Sequence, residues 1–231
     1  MTDAFIDIPG VRNFRDAGGI GALRRGVLYR SGSLHTLTEE GARRLKALGL
    51  RTVIDLRSAF ELDVWPDQRH GLDHETLHLP TLPADRKDVD LPWPEDQASL
   101  YPFMAETAGP SLAAVMRRLA EPQSSAVLVH CAVGKDRTGL TIAVLQSLLG
   151  ASEADITADF LLSNIGLGLD KGPTPYVDET GTERVSRPVS AELLASSLSW
   201  IHTHHTGIPA YLRHHGVTDA ELAAVQANLS A

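Results

Sequence analysis

HCAVGKDRTG, residues 130–139, holds the chain's one cysteine, Cys131, and an arginine six residues later, Arg137. A thiol, a planar guanidinium and a glycine that permits a tight turn are the parts of an anion site with its own nucleophile. Gly134 lets successive backbone N–H groups turn inward as a nest. If a helix starts at the end of the stretch, its first N–H groups lack intrahelical partners and carry partial positive charge, which favours a bound anion. Arg137 adds a fork of donors that fits two oxygens of a phosphate. The same field lowers a thiol's pKa, and a thiolate beneath a bound phosphate is an in-line nucleophile. The chemistry implied is covalent phosphoryl transfer through a phosphocysteine. The alternative is a small buried hydrophobe, the ordinary fate of a lone cysteine. A nucleotide-binding P-loop is excluded, because Gly134-Lys135 is followed by Asp136 and lacks the upstream glycine.

The flanking elements fit the chemical reading. SSAVLVH (124–130) is a continuous apolar run, as in a central strand buried on both faces, and TGLTIAVLQSLLG (138–150) reads as the helix that follows. Ligands in open α/β sheets bind at such strand-to-helix junctions. Upstream, GVLYRSGSL (26–34), RTVIDLRS (51–58) and ETLHLPTLP (75–83) contain strands, and LTEEGARRLKALGL (37–50) is a helix with Thr38 as N-cap. GPSLAAVMRRLAEP (109–122), SEADITADFLLSN (152–164), SAELLASSLSWIHTHH (190–205) and TDAELAAVQANLS (218–230) are further helices. The proline-broken stretch 84–98 and the Gly/Pro-rich stretch 166–187 are expected to be loops. The grammar is α/β, and no linker or repeat divides residues 1–231, so one catalytic domain is expected.

Composition narrows the classes. A net charge of −8 argues against general nucleic-acid binding. No apolar run approaches a membrane span, and MTDAFIDIPG lacks the pattern of a secretory signal. A cytoplasmic monomer is expected, with export by a signal-less route left open. One cysteine excludes an internal disulfide and a cysteine zinc cluster. Lys135 is one of four lysines, Lys46, Lys87, Lys135 and Lys171.

HCAVGKDRTG resembles the signature of cysteine-dependent tyrosine phosphatases, and its GKDRTG form resembles the PtpB-type bacterial branch. NFRDAGG (13–19), LYRSGSL (28–34), TVIDLRS (52–58), ADFLLSN (158–164) and YLRHHGVTDAEL (211–222) resemble that branch's other blocks, in its order. The resemblance implies a tyrosine-phosphatase-like α/β fold. A central, mostly parallel sheet would be flanked by helices, with a loop or helical lid over the site and no metal or organic cofactor. It implies phosphotyrosine as substrate, with phosphoserine/threonine or phosphoinositide open, and phosphate or vanadate as inhibitor. A small phosphate ester as substrate and a non-catalytic phosphate binder are the competing readings. By position, Cys131 is the nucleophile and Arg137 the phosphate clamp. The N–H groups of Ala132, Val133, Gly134, Lys135, Asp136 and Arg137 form the cradle. His130 orients the loop, and Thr138 places a hydroxyl near the sulfur.

Ester cleavage also needs an acid for the leaving oxygen. Asp67 in VWPD resembles the acid of the eukaryotic enzymes but falls too early in the fold order. Asp85 stands near the acid position of the PtpB-type branch, Asp88 or Asp90 could replace it, and Asp96 and Asp136 are further candidates. Asp85 ranks first and Asp136 second. Lys135 could meet a second phosphate if it faces the cleft, or pair with Asp136. Tyr101, Phe103 and Met104 could line a lid or belong to the core. His202, His204 and His205 are read as a polar helix end rather than a metal site. Arg15 and Asp16 are expected to tie the N-terminal segment to the core.

Overall fold

The computed structural model describes residues 4–83, 92–122 and 126–230. A five-stranded sheet has the order β1-β2-β5-β3-β4. Its strands are β1 (Arg15–Asp16), β2 (Leu28–Ser31), β3 (Leu50–Asp55), β4 (Glu75–His78) and β5 (Ala126–His130). β2, β5, β3 and β4 run parallel, and β1 closes one edge antiparallel to β2. The sheet is therefore mostly parallel, as expected of strands linked through helices.

β5 lies at the centre, and all five of its residues are buried. Val127 and Val129 join one apolar cluster, while Ala126 and Leu128 join the other, on the opposite face. This is the period-two alternation of a strand with two covered faces, and it is why AVLVH reads as unbroken apolar sequence. The larger cluster is built by α3 (Gln97–Thr107), α4 (Gly109–Ala120), α5 (Asp136–Leu148), α6 (Glu153–Gly166), α7 (Ala191–His205), α8 (Ile208–His214) and α9 (Asp219–Leu229). The smaller one lies under α1 (Glu39–Ala47), whose N-cap Thr38 accepts from the Gly41 N–H as expected. α5 is buried on nearly every side, which places the residues at its start in the middle of the molecule.

Several elements depart from the sequence reading. Gln97 and Ala98, at the end of the stretch expected to loop, begin α3, which is capped by Asp96 and carries Pro102 inside it. That proline removes one backbone hydrogen bond, and tertiary burial of Tyr101, Met104 and Ala105 holds the helix regardless. The 166–187 stretch forms a 3₁₀ turn, Leu169–Lys171, and an antiparallel ribbon of β6 (Thr174–Val177) and β7 (Glu183–Ser186). A six-residue helix, α2 (Ala59–Val64), follows β3. Its signal was the capping box Ser58–Glu61, which sets the helix start by two reciprocal hydrogen bonds. Among the described residues no helix is long and apolar enough to cross a membrane.

Candidate active site

The carboxyl ends of β2, β5 and β3 lie side by side, with Ser31 paired to His130 and Asp55 paired to the same residue. Cys131 follows His130 directly, and the chain then loops to α5, whose N-cap position, Lys135, makes no side-chain cap. Gly134 has φ 70°, and a Cβ there would lie 2.2 Å from the Ser31 carbonyl oxygen. Only glycine fits this close approach in the left-handed region.

The loop's carbonyls are tied outward one by one. The Leu56 N–H donates to the His130 carbonyl at 2.9 Å, and the Ser33 N–H to that of Ala132 at 3.0 Å. His130 Nδ1 lies 3.2 Å from the Cys131 carbonyl. The Asn13 amide donates to the Val133 carbonyl at 3.3 Å and to that of Gly134 at 2.9 Å, where Arg30 donates as well at 3.0 Å. In a trans peptide the next N–H points opposite to the carbonyl. Anchoring these oxygens from behind therefore turns the following N–H groups to the other side. The N–H groups of Ala132 through Arg137 have no hydrogen-bond acceptor among the described residues. They form the concave donor row that an oxyanion fits.

Two buried ion clusters hold this backing. Asp159 of α6 receives Arg15 at 2.9 Å on one carboxylate oxygen and Arg30 at 2.7 Å on the other. All three are nearly fully buried. Burial and the neighbouring Arg30 bring Arg15 down to about 10, against the pull of Asp159. Arg15 thus ties the N-terminal segment to the core as expected, while Asp16 caps the Gly18 and Gly26 N–H groups. On the other side, His130 Nε2 lies 3.2 Å from the Asp67 carboxylate, and Arg57 bonds both Asp55 and Asp67. One His130 nitrogen faces a carbonyl and the other lies at ion-pair distance from a carboxylate, an arrangement that favours the protonated ring. Burial pushes its pKa down, but Asp67 and Asp55 outweigh that and hold it above the ordinary value. Asp55, Asp67 and His130 stand close enough for a metal ion. Arg57 already supplies the cation between the two carboxylates. Asp67 also accepts from the Leu34 N–H. It is a half-buried brace tied to His130, Arg57 and the Leu34 N–H.

At the front, Arg137 is held end-on by Glu61, with Nη1 and Nη2 donating at 2.6 and 2.7 Å to its two oxygens. Glu61 is the residue at the capping-box position of α2, so one side chain starts that helix and aims the arginine. An end-on pair leaves three guanidinium N–H groups for an anion. Burial pushes the Glu61 carboxyl up, and the Arg137 hydrogen bonds and charge more than reverse it. Sequence reasoning missed Glu61; its visible signal was the S-x-x-E spacing. Burial likewise pushes the Cys131 thiol up. Arg137, the Thr138 hydroxyl and the Thr138 N–H bring it below the ordinary thiol value. The Thr138 hydroxyl is fully buried and has no nitrogen or oxygen partner among the described residues.

The acid candidates divide. Asp136 accepts the Tyr101 phenolic hydrogen at 2.6 Å and lies 3.7 Å from the Lys135 ammonium. Asp96 caps α3 through Ser99. Asp85, Asp88 and Asp90 lie outside the described residues. Lys135 is 5 % exposed, and its ammonium donates to the Arg187 carbonyl at 2.8 Å. Its charge is thus shared between a carbonyl and Asp136. Tyr101, Phe103 and Met104 are core residues. His205 sits in a ring cluster with Tyr211, His214 and His215, while His204 stacks on Trp200. The helix end is aromatic and polar, and none of these histidines belongs to a metal-spaced group among the described residues.

The chain is similar to known phosphatases. A tyrosine-protein phosphatase of Nostoc commune is 28 % identical over 222 residues, spanning 90 % of this chain and 76 % of that protein. The triple specificity protein phosphatase PtpB of Mycobacterium tuberculosis is 29 % identical over 261 residues, spanning 93 % of this chain and 95 % of that protein. The solved structure of P. aeruginosa TpbA aligns over 93 % of this chain and 98 % of that one, with 18 % identity and a TM-score of 0.46. The family model described as "Tyrosine phosphatase family" matches residues 6–231, so every residue of the cradle and both clusters behind it fall inside the match, and the chain is a phosphatase that belongs to that family.

Proposed function

We propose that this phosphatase hydrolyses phosphotyrosine on proteins through a phosphocysteine at Cys131, acting as a cytoplasmic monomer without metal or cofactor. The observation that carries the reading is the row of unpartnered N–H groups from Ala132 to Arg137 around a thiol held below its ordinary pKa. In the first step the thiolate attacks phosphorus in line, an S–P bond forms and the P–O bond to the leaving group breaks. The cradle and Arg137 bind the equatorial oxygens, where negative charge is carried in the transition state. A carboxylic acid protonates the leaving oxygen. Asp136 already accepts from the Tyr101 hydroxyl and lies beside Lys135, so Asp85 is ranked ahead of it as the donor. In the second step water attacks phosphorus and its proton passes to the same carboxylate. The S–P bond breaks, phosphate leaves, and the Thr138 hydroxyl receives the returning thiolate.

The relatives' printed names support phosphorylated protein as the substrate, and "triple specificity" supports breadth beyond one kind of ester. The test is Cys131→Ser on p-nitrophenyl phosphate. Turnover is expected to vanish while vanadate or phosphate still binds, because the cradle remains. Turnover by the purified variant, or wild-type activity lost to chelator and restored by a divalent metal, would overturn the mechanism.

A further inference from the structure

Asp136 is at odds with the loop it belongs to. It stands directly before Arg137 and five residues after Cys131. The start of α5 suits an acidic side chain, because the helix dipole is positive there. Yet a carboxylate in this loop repels a thiolate and a bound phosphate alike. Its two oxygens are both engaged. Tyr101 donates its phenolic hydrogen to one at 2.6 Å, and the Lys135 ammonium lies 3.7 Å from the other.

Tyr101 is itself built in. It is fully buried on α3. Its ring meets Phe160 of α6 edge-on, with centroids 6.0 Å apart. Phe160 lies in turn against the first turn of α5, where a Cβ on Gly139 would come within 2.7 Å of the ring. The Tyr101 carbonyl accepts from the Ser197 hydroxyl of α7 at 2.7 Å. One turn on, the Ala105 carbonyl accepts from the Tyr211 hydroxyl of α8, also at 2.7 Å. Contacts from α6, α7 and α8 thus fix where the phenol stands. Its one hydrogen-bond partner among the described residues is Asp136. A buried hydroxyl is costly unless paired, and phenylalanine would supply the same ring without that demand. Burial above all, and then the Asp136 charge, hold the phenol far above its ordinary pKa, so it acts only as a donor. The ionisable groups facing the pair are the Cys131 thiol, Arg30 of β2, and Lys135 and Arg137 in the loop.

Resting on the phosphatase reading, we propose that Tyr101 is a positioning residue for the phosphate loop: its hydroxyl holds the Asp136 carboxylate toward α3 and so shields the thiolate and the phosphate from that charge. It acts through Asp136 rather than on substrate.

The experiment is a double-mutant cycle of Tyr101→Phe and Asp136→Asn. It is read by two measurements that need no turnover, the pH midpoint for alkylation of Cys131 by iodoacetate and the Kd for inorganic phosphate. Tyr101→Phe alone should raise the midpoint and weaken phosphate binding about tenfold, as loss of one charge-assisted hydrogen bond implies. In the Asp136→Asn background the same change should move both only slightly, because no charge is left to position. Asp136→Asn alone, with Tyr101 in place, should lower the midpoint only slightly; a large fall would show an unshielded charge and overturn the proposal even if Tyr101→Phe does not fold. Tyr211→Phe removes another buried hydroxyl bonded to α3 and serves as the control. It should lower Tm and leave the midpoint and the phosphate Kd in place. Equal shifts for Tyr101→Phe in the two backgrounds, no shift in either, or the same shifts from Tyr211→Phe would make Tyr101 a packing residue and overturn the proposal. The phosphatase reading stands through those outcomes if the wild type turns over p-nitrophenyl phosphate and Cys131→Ser does not. Wild-type inactivity on every phosphate ester would overturn that reading instead.

Discussion

Behind the phosphate loop, three arginines in two aspartate-centred clusters and an asparagine leave hardly a charge exposed; the ribbon tethered to the loop through Lys135 has hardly a residue buried. The contrast separates two kinds of construction. The back must hold four or five carbonyls in one arrangement, since each fixes where the next N–H points. Rigid aim of that kind needs groups whose own partners are settled, and in a low-dielectric interior an unsettled one is costly. The ribbon is built from exposed residues tied down at a few points. The two regions meet at Lys135, which belongs to the loop by sequence and to the ribbon by hydrogen bond.

The sharpest way to break the comparison is Asp159→Ala. It strands two buried guanidinium groups and should cost about 3–5 kcal/mol in a denaturant melt. Glu179→Ala on the ribbon should stay within ~0.5 kcal/mol. Similar losses for the two would erase the distinction between the loop's backing and the ribbon.

Glu61→Gln should come next. It keeps the side chain's shape but removes the charge facing Arg137, so the guanidinium is no longer held by an ion pair. We expect kcat/KM to fall about ten- to a hundredfold, with most of the loss in kcat, because the clamp acts chiefly on the transition state. A change confined to KM would mean that Arg137 needs no such partner.

Asp67→Asn addresses the other brace and has a pH signature. His130 titrates above its unfolded value because of Asp67 and Asp55. Its ion-pair contribution is therefore fully present below the unfolded pKa of about 6.5 and is lost as pH rises through the folded value. The stability gap between wild type and variant, roughly 1–2 kcal/mol, should thus be widest just above the carboxylate range and narrow on going alkaline. A gap independent of pH would assign Asp67 to Arg57 and the Leu34 N–H alone.

The smallest expected effect is Thr138→Ala. Its hydroxyl is one of the groups that lower the Cys131 thiol. The pH midpoint for iodoacetate alkylation should lie below the ordinary thiol value in the wild type and rise toward it in the variant. An unmoved midpoint would leave Arg137 and the Thr138 N–H to account for the shift.

The placing of Cys131 and Arg137 beside a row of donors was legible in HCAVGKDRTG because it depends on neighbours within ten residues. A buried strand, a glycine and a helix start together decide where those N–H groups point, and that geometry is local. The central place of β5 was legible for a related reason, since the strand carries its two-faced burial in its own side chains. Nothing local indicated who holds the loop. Asn13, Arg30, Asp159 and Glu61 reach it across roughly 76 to 121 residues of chain or through one another. Only the closed sheet brings them together. The same holds for Lys135. Its charge and length were plain in the sequence, and either a second phosphate or Asp136 could have taken it. Tertiary structure placed the Arg187 carbonyl 2.8 Å away. A buried ammonium takes the acceptors within its reach, because leaving its hydrogens unpaired away from water costs more than any single choice among them.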